Sequence, residues 1–169
     1  MLVMVAGLPK SKSNTDDEKE ALAAAHRALG PIRQRLIALA DTDAAAFDQV
    51  MAGYRLPKVT DQEKSARTQA IQLALQGATM APLETLRGCA EALELAGVVA
   101  RCGSRSAASD VGVAVGLLEA AAAGAEANVR INLDGLSEEA FRASAREDAA
   151  RLMAAVVSRS AVARARLGA

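Results

Sequence analysis

A carboxyl group that faces an apolar surface can hold a proton and pass it to a reacting atom. Asp43 is placed for that work. The segment Ile32 to Tyr54 reads as one amphipathic helix. Its stripe runs Leu36, Ala40, Asp43, Phe47, Val50, Tyr54, with steps of 4, 3, 4, 3 and 4. That alternation keeps one helix face toward a core or a partner helix. A carboxylate in the middle of such a face is costly unless it is paired, hydrogen-bonded or protonated. Two readings are open: a buried aspartate paired with an arginine of another helix, or a general acid/base. Asp41 and Asp48 fall off the stripe and read as solvated.

Other candidates cluster less sharply. Arg55 and Lys58 lie just past the end of the Asp43 helix, where charges are ordinarily only solvated. Gly112, Gly116, Ala120 and Gly124 form an i, i+4 row. Glycine costs a helix up to ~1 kcal/mol per residue against alanine. The row is therefore expected to admit something close, a helix backbone or a ligand. Asn128 and Asn132 extend it, and their amides either bond backbone or read a polar heterocycle. Asp110 reads as a first-turn helix acid. Met51 and Met80 read as core fillers. His26 is the single histidine and has no ligand-spaced Cys or carboxylate, so no metal site is expected. No nucleophile elbow, phosphate-binding loop or dinucleotide fingerprint is present.

The elements that must hold these residues are helices. Alanine dominates the 169 residues, Trp is absent, and the aromatics are Phe47, Tyr54 and Phe141. Alanine is the best helix former, and the residues that favour strands are scarce. The expectation is a single all-α domain over residues 1–169, a bundle of about five long helices, whose small side chains allow close packing and an oligomer interface. Twenty basic residues balance twenty acidic ones. With so few aromatics, neither charge nor stacking suggests a nucleic-acid partner. Cys89 and Cys102 read as buried free thiols. No uncharged apolar run reaches the ~18 residues of a membrane span. The opening MLVMVAGLPK lacks the basic start of a signal peptide. A cytoplasmic protein is expected.

The pattern predicts a short helix from Leu2 to Leu8, ended by Pro9 and a basic link. Capping boxes at Thr15 and Thr60 open two longer helices. Gly30-Pro31 predicts a kink or break, and Pro82 an interruption. Gly103 supplies a stop. Ser104 or Ser106 is expected to cap the helix that runs to about Asn128, and Ser137 the last one, ending near Arg164.

Several blocks carry a resemblance. They are Asp43-Ala-Ala-Ala-Phe47-Asp48-Gln-Val50-Met51, Tyr54-Arg55-Leu56-Pro57-Lys58, and Arg67-Thr-Gln-Ala70-Ile71-Gln72. Ala78-Thr79-Met80-Ala81-Pro82-Leu83, Ser109-Asp110-Val111-Gly112-Val113-Ala114 and Asn128-Val129-Arg130-Ile131-Asn132-Leu133 follow in the same register. Together they resemble the cyclodeaminase/cyclohydrolase family of folate enzymes. The resemblance implies an all-helical homodimer or higher oligomer with a folate crevice near the subunit interface. It implies hydrolysis of 5,10-methenyltetrahydrofolate to 10-formyltetrahydrofolate. The alternative is cyclisation of 5-formiminotetrahydrofolate with loss of ammonia, in which a separate formiminotransferase would be a partner. No bound cofactor is implied; the tetrahydrofolate derivative is the substrate.

The family's catalytic aspartate falls on Asp43, which would act as general acid/base with its pKa raised toward neutrality by an apolar setting. Lys58 and Arg55 would bind the anionic glutamate tail. Asp110, Asn128 and Asn132 would contact polar ring edges or hold the loops. Relatives begin with a further helix after a Pro-Gly-Gly-Gly-Ser type motif, and this chain opens at what resembles the end of that helix. A chain without that segment could instead be a non-catalytic helical oligomerisation module. A second departure is Gly103-Ser104-Arg105-Ser106, which differs from the Asn-containing pattern of relatives.

Overall fold

Both capping boxes form as the sequence dictates. Thr15 Oγ1 accepts from the Glu18 N–H at 3.2 Å, and the Glu18 carboxylate accepts from the Thr15 N–H at 3.0 Å. Thr60 and Glu63 repeat the arrangement at 3.2 and 2.8 Å. A computed structural model describes residues 1–8 and 14–168. Pro9 and the basic link after it lie outside the described residues. Five α-helices follow: α1 (Leu2–Ala6), α2 (Asp16–Arg55), α3 (Asp61–Cys102), α4 (Ala108–Asp134) and α5 (Glu139–Leu167). A 3₁₀ turn at Arg105–Ala107 precedes α4. The described residues contain no strand.

The prolines do not divide the helices. Pro31 sits inside the 40-residue α2 and Pro82 inside the 42-residue α3. Pro31 and Arg27, whose carbonyl loses its helical donor, belong to exposed residues open to water. Pro82 is buried, and its freed carbonyl, Ala78 O, accepts instead from Asn132 Nδ2 at 2.8 Å. The expected serine caps also fail to form. Ala107 and Glu138 occupy the N-cap positions of α4 and α5 without a side-chain bond. Ser104 pairs with Ser106 at 2.8 Å, and Ser137 turns to Gln72.

α3 is the central helix, with α2, α4 and α5 packed along it. Its buried face includes Leu86, Leu93 and Val99, which meet Val111, Val115 and Val129 of α4 and Val156 of α5 in one core. Two glycines set close approaches. A Cβ on Gly88 would fall 2.7 Å from Leu36 Cδ2, and one on Gly53 would fall 3.1 Å from Ile71 Cγ1. Arginines tie α5 to α3: Arg159 donates to Ala90 O at 2.9 Å and Arg166 to Gly97 O at 2.7 Å. On α1, Val5 is fully buried, and the His26 ring N–H of α2 donates to Val3 O at 3.0 Å.

The glycine row of α4 is not used for close packing within the chain. Cβ atoms on Gly112 and Gly116 would meet only side-chain tips at 3.7 and 3.8 Å, and one on Gly124 would meet nothing within 4 Å. Val113 and Leu117 beside the row are exposed, so this face of α4 looks outward. By length and composition the stretch Arg105–Asp134 suffices to cross a membrane, where none was expected. It carries Glu119, Glu126 and Arg130, and it packs on α3 and α5.

Candidate active site

The C-terminal half of the α2 stripe borders a cleft, while Leu36 and Val50 also pack on the core. Asp43, Phe47, Val50, Met51 and Tyr54 form one wall of a cavity of about 400 Å³. These positions fall at helical spacing, so one face of α2 supplies them all. Leu75 and Ala78 of α3 make the floor. Asn128, Ile131 and Asn132 of α4 form the opposite wall, and Gly135 closes the end. The i, i+4 relation of the two asparagines puts both amides on the same helix face.

Asp43 is the one lining residue with a formal charge at neutral pH. It is exposed within this chain, and it makes no ion pair among the described residues. The expectation of a buried position therefore fails for the single chain, and with it the aspartate–arginine pair. Phe47, one turn on, is 61% exposed, and Ile131 across the cleft is 65% exposed. The carboxylate stands at an apolar mouth that this chain leaves open. Met51 lines the cleft, and Met80 is exposed, so neither is a core filler.

The structure brings Asn128 and Asn132 to Asp43 but not the other three expected residues. Arg55 ends α2 and Lys58 lies in the following loop; both are exposed and outside the cleft lining. Asp110 lies in the first turn of α4, eighteen residues before Asn128. At 1.5 Å per residue that is about 27 Å away along the helix. Within one chain its position suits a first-turn acid.

Three residues that sequence reasoning left without a role shape the cleft. Gln72 Nε2 donates to Gly135 O at 2.8 Å, and Gln72 Oε1 accepts from the Ser137 N–H and Oγ–H at 2.7 and 2.9 Å. One side chain of α3 thus holds the α4–α5 turn. Gly135 lets that turn reach Leu75, because a Cβ there would fall 2.8 Å from Leu75 Cδ1. Arg67 donates to Tyr54 O at 3.2 Å through Nη2 and lies 5.6 Å from the Tyr54 ring centroid. It fixes the C-terminal end of α2 and is a cation beside the cleft wall. Gln72 and Arg67 lie in a block that carried the resemblance, yet spacing alone names no partner for either.

A larger cleft, of about 560 Å³, lies where α3, α4 and α5 end or begin, and Arg101, Arg105 and Arg166 line it. Its described lining includes no Asp or Glu side chain, whereas the smaller cleft holds one, so proton transfer by a side-chain carboxyl points to the smaller cleft.

Residues 1–151 match the family model described as formiminotransferase-cyclodeaminase. A methenyltetrahydrofolate cyclohydrolase from Methylorubrum extorquens is 44% identical over 110 residues, 65% of this chain and 53% of that protein. A formimidoyltransferase-cyclodeaminase from Sus scrofa is 34% identical over 119 residues, 70% of this chain and 22% of that protein. The match thus spans about half the length of the first relative and less of the second. The crystal structure of a formiminotetrahydrofolate cyclodeaminase from Thermotoga maritima superposes with a TM-score of 0.86 at 25% identity. That superposition covers 99% of this chain and 79% of the other.

Proposed function

The chain belongs to the formiminotransferase-cyclodeaminase family, and from that premise we propose that it interconverts one-carbon folates at the Asp43 cleft. The reaction proposed is hydrolysis of 5,10-methenyltetrahydrofolate to 10-formyltetrahydrofolate. The observation that carries it is a lone carboxyl group opposite two amides in an apolar cleft, together with 44% identity to a cyclohydrolase.

The chemistry asks little of the protein beyond proton transfer and positioning. Asp43 takes a proton from water as the oxygen adds to the carbon between N5 and N10. The carboxylic acid then returns that proton to N5 as the carbon–N5 bond breaks. The hydroxyl proton leaves to solvent, and the formyl group stays on N10. A carboxyl group in this role gains from an apolar surround that favours its proton-holding form. Phe47 and Ile131 supply apolar surface, and a folate would cover it.

A second copy of the chain is proposed to complete the cleft. Val113 and Leu117 of α4 are exposed in line with Gly124 and Asn128, so an outward apolar strip runs into the cleft mouth. The cleft and this strip together suit a homodimer.

Ammonia-releasing cyclisation of 5-formiminotetrahydrofolate is the second reading. It is favoured by the superposition with the Thermotoga maritima cyclodeaminase, and it uses the same carboxyl group to protonate departing ammonia. Assays of ultraviolet absorbance on 5,10-methenyltetrahydrofolate and of ammonia release from 5-formiminotetrahydrofolate separate the two. Loss of the methenyl absorbance above the spontaneous rate supports hydrolysis. Ammonia release alone supports cyclodeamination. A folded oligomer with neither activity makes the chain a non-catalytic module.

A further inference from the structure

Pro82 creates a polar vacancy beside the cleft, and Asn132 fills it. Proline has no N–H, so the Ala78 carbonyl four residues earlier lacks its helical donor. Ala78 and Pro82 are both buried. A buried carbonyl needs a partner, and Asn132 Nδ2, from another helix, donates to it at 2.8 Å. Ala78 and Asn132 both line the cleft that holds Asp43.

This bond decides which way the amide points. A carbonyl oxygen can only accept, so the NH₂ group of Asn132 must face Ala78. Its Oδ1 is then turned away from the Ala78 carbonyl, and it makes no hydrogen bond among the described residues. Asn128, one turn earlier on the same cleft wall, makes no such bond among the described residues.

We infer that Pro82, Ala78 and Asn132 form a reader of fixed polarity, in which Asn132 offers a carbonyl acceptor to the ligand. The class of ligand edge that fits is an N–H donor, such as the amino and ring N–H edge of a reduced pterin. An edge presenting a carbonyl at that point meets oxygen against oxygen. The choice of a reduced pterin rests on the folate reading; the orientation of the amide rests on Pro82 alone. Asn132 is thereby a specificity residue, and Pro82 is the positioning residue that sets it.

The rival explanation is that Asn132 only satisfies Ala78. A double-mutant cycle separates the two. Pro82→Ala restores an N–H at position 82, which can take the Ala78 carbonyl and relieve Asn132 of that duty. Asn132→Ala is then made in both backgrounds, and two quantities are measured: thermal stability and the Kd for 5-formyltetrahydrofolate, a stable reduced folate. In the parent, Asn132→Ala lowers stability and weakens binding. In the Pro82→Ala background it leaves stability unchanged and still weakens binding, by roughly three- to tenfold for one lost hydrogen bond. Unchanged binding in that background overturns the inference. A parent protein that does not bind the folate at all overturns the folate reading first, and the pterin part of the inference with it.

Discussion

Replacing Gly135 by alanine tests the packing that shapes the end of the cleft. Gly135 has φ −85°, so its backbone does not demand glycine; space does. A Cβ there lies 2.8 Å from Leu75 Cδ1 and 3.8 Å from Leu75 Cδ2. Carbon atoms in good contact sit about 3.5–4.0 Å apart, so the first overlap is about 1 Å. Leu75 is 6% exposed and packs in the core while bordering the cleft. Its side chain must leave its rotamer or push into the cleft. Overpacking of this kind costs about 1–3 kcal/mol. At about 2–4 °C per kcal/mol for a domain of this size, the melting temperature falls by about 2–12 °C. Thermal unfolding followed by circular dichroism reads the change. The same substitution in a Leu75→Ala background meets open space, and its cost should vanish. If Gly135→Ala costs nothing, or costs the same in both backgrounds, steric overlap with Leu75 is not what holds this position to glycine.

Gln72→Ala removes the three bonds that hold the α4–α5 turn; a loss of about 1–2 kcal/mol is expected, with faster amide exchange at Ser137. Unchanged exchange there would mean that the turn holds itself. Burial pushes the Cys89 thiol up to about 11 from an ordinary 9.0. The unfolded chain ionises first, so this contribution to stability is whole below pH 9.0 and is lost as pH rises to about 11. Denaturation midpoints across that window should fall less steeply in Cys89→Ala, and an equal slope would refute the assignment. Backbone N–H groups of Thr60 and Val59 hold the Glu63 carboxyl below its ordinary value of 4.5. Its contribution is present above that value and is lost on acidification, so Glu63→Gln should make stability less sensitive to acid. An acid-unfolding curve of unchanged shape would count against the capping box as its source.

Local signals were legible and long-range ones were not. The capping boxes at Thr15 and Thr60 lie within three residues of their partners, and both form. The stripe through Asp43 was legible because helical period fixes a face. Period does not say what the face meets, so a cleft could not be told from a core. Pro82 reads locally as a break, but the carbonyl it frees, Ala78 O, is satisfied by an asparagine 54 residues further on. Ser137 reads as a cap, but Gln72, 65 residues away, takes both its donors. The glycine row was visible as an anomaly, and only the fold shows that nothing within the chain uses it. Arg55 ends the Asp43 helix and Lys58 follows it, yet neither lines the cleft, and Arg67 is the cation beside the Tyr54 ring.

The most direct test is the turnover of 5,10-methenyltetrahydrofolate by the parent and by Asp43→Asn, with 5-formyltetrahydrofolate binding measured alongside. Asparagine keeps the shape of the cleft wall and removes the carboxyl group. A positioned acid or base contributes about 10²–10⁴-fold, so kcat should fall by about a hundredfold or more while Kd changes by no more than a few-fold. Turnover by Asp43→Asn within a few-fold of the parent would contradict the assignment of Asp43.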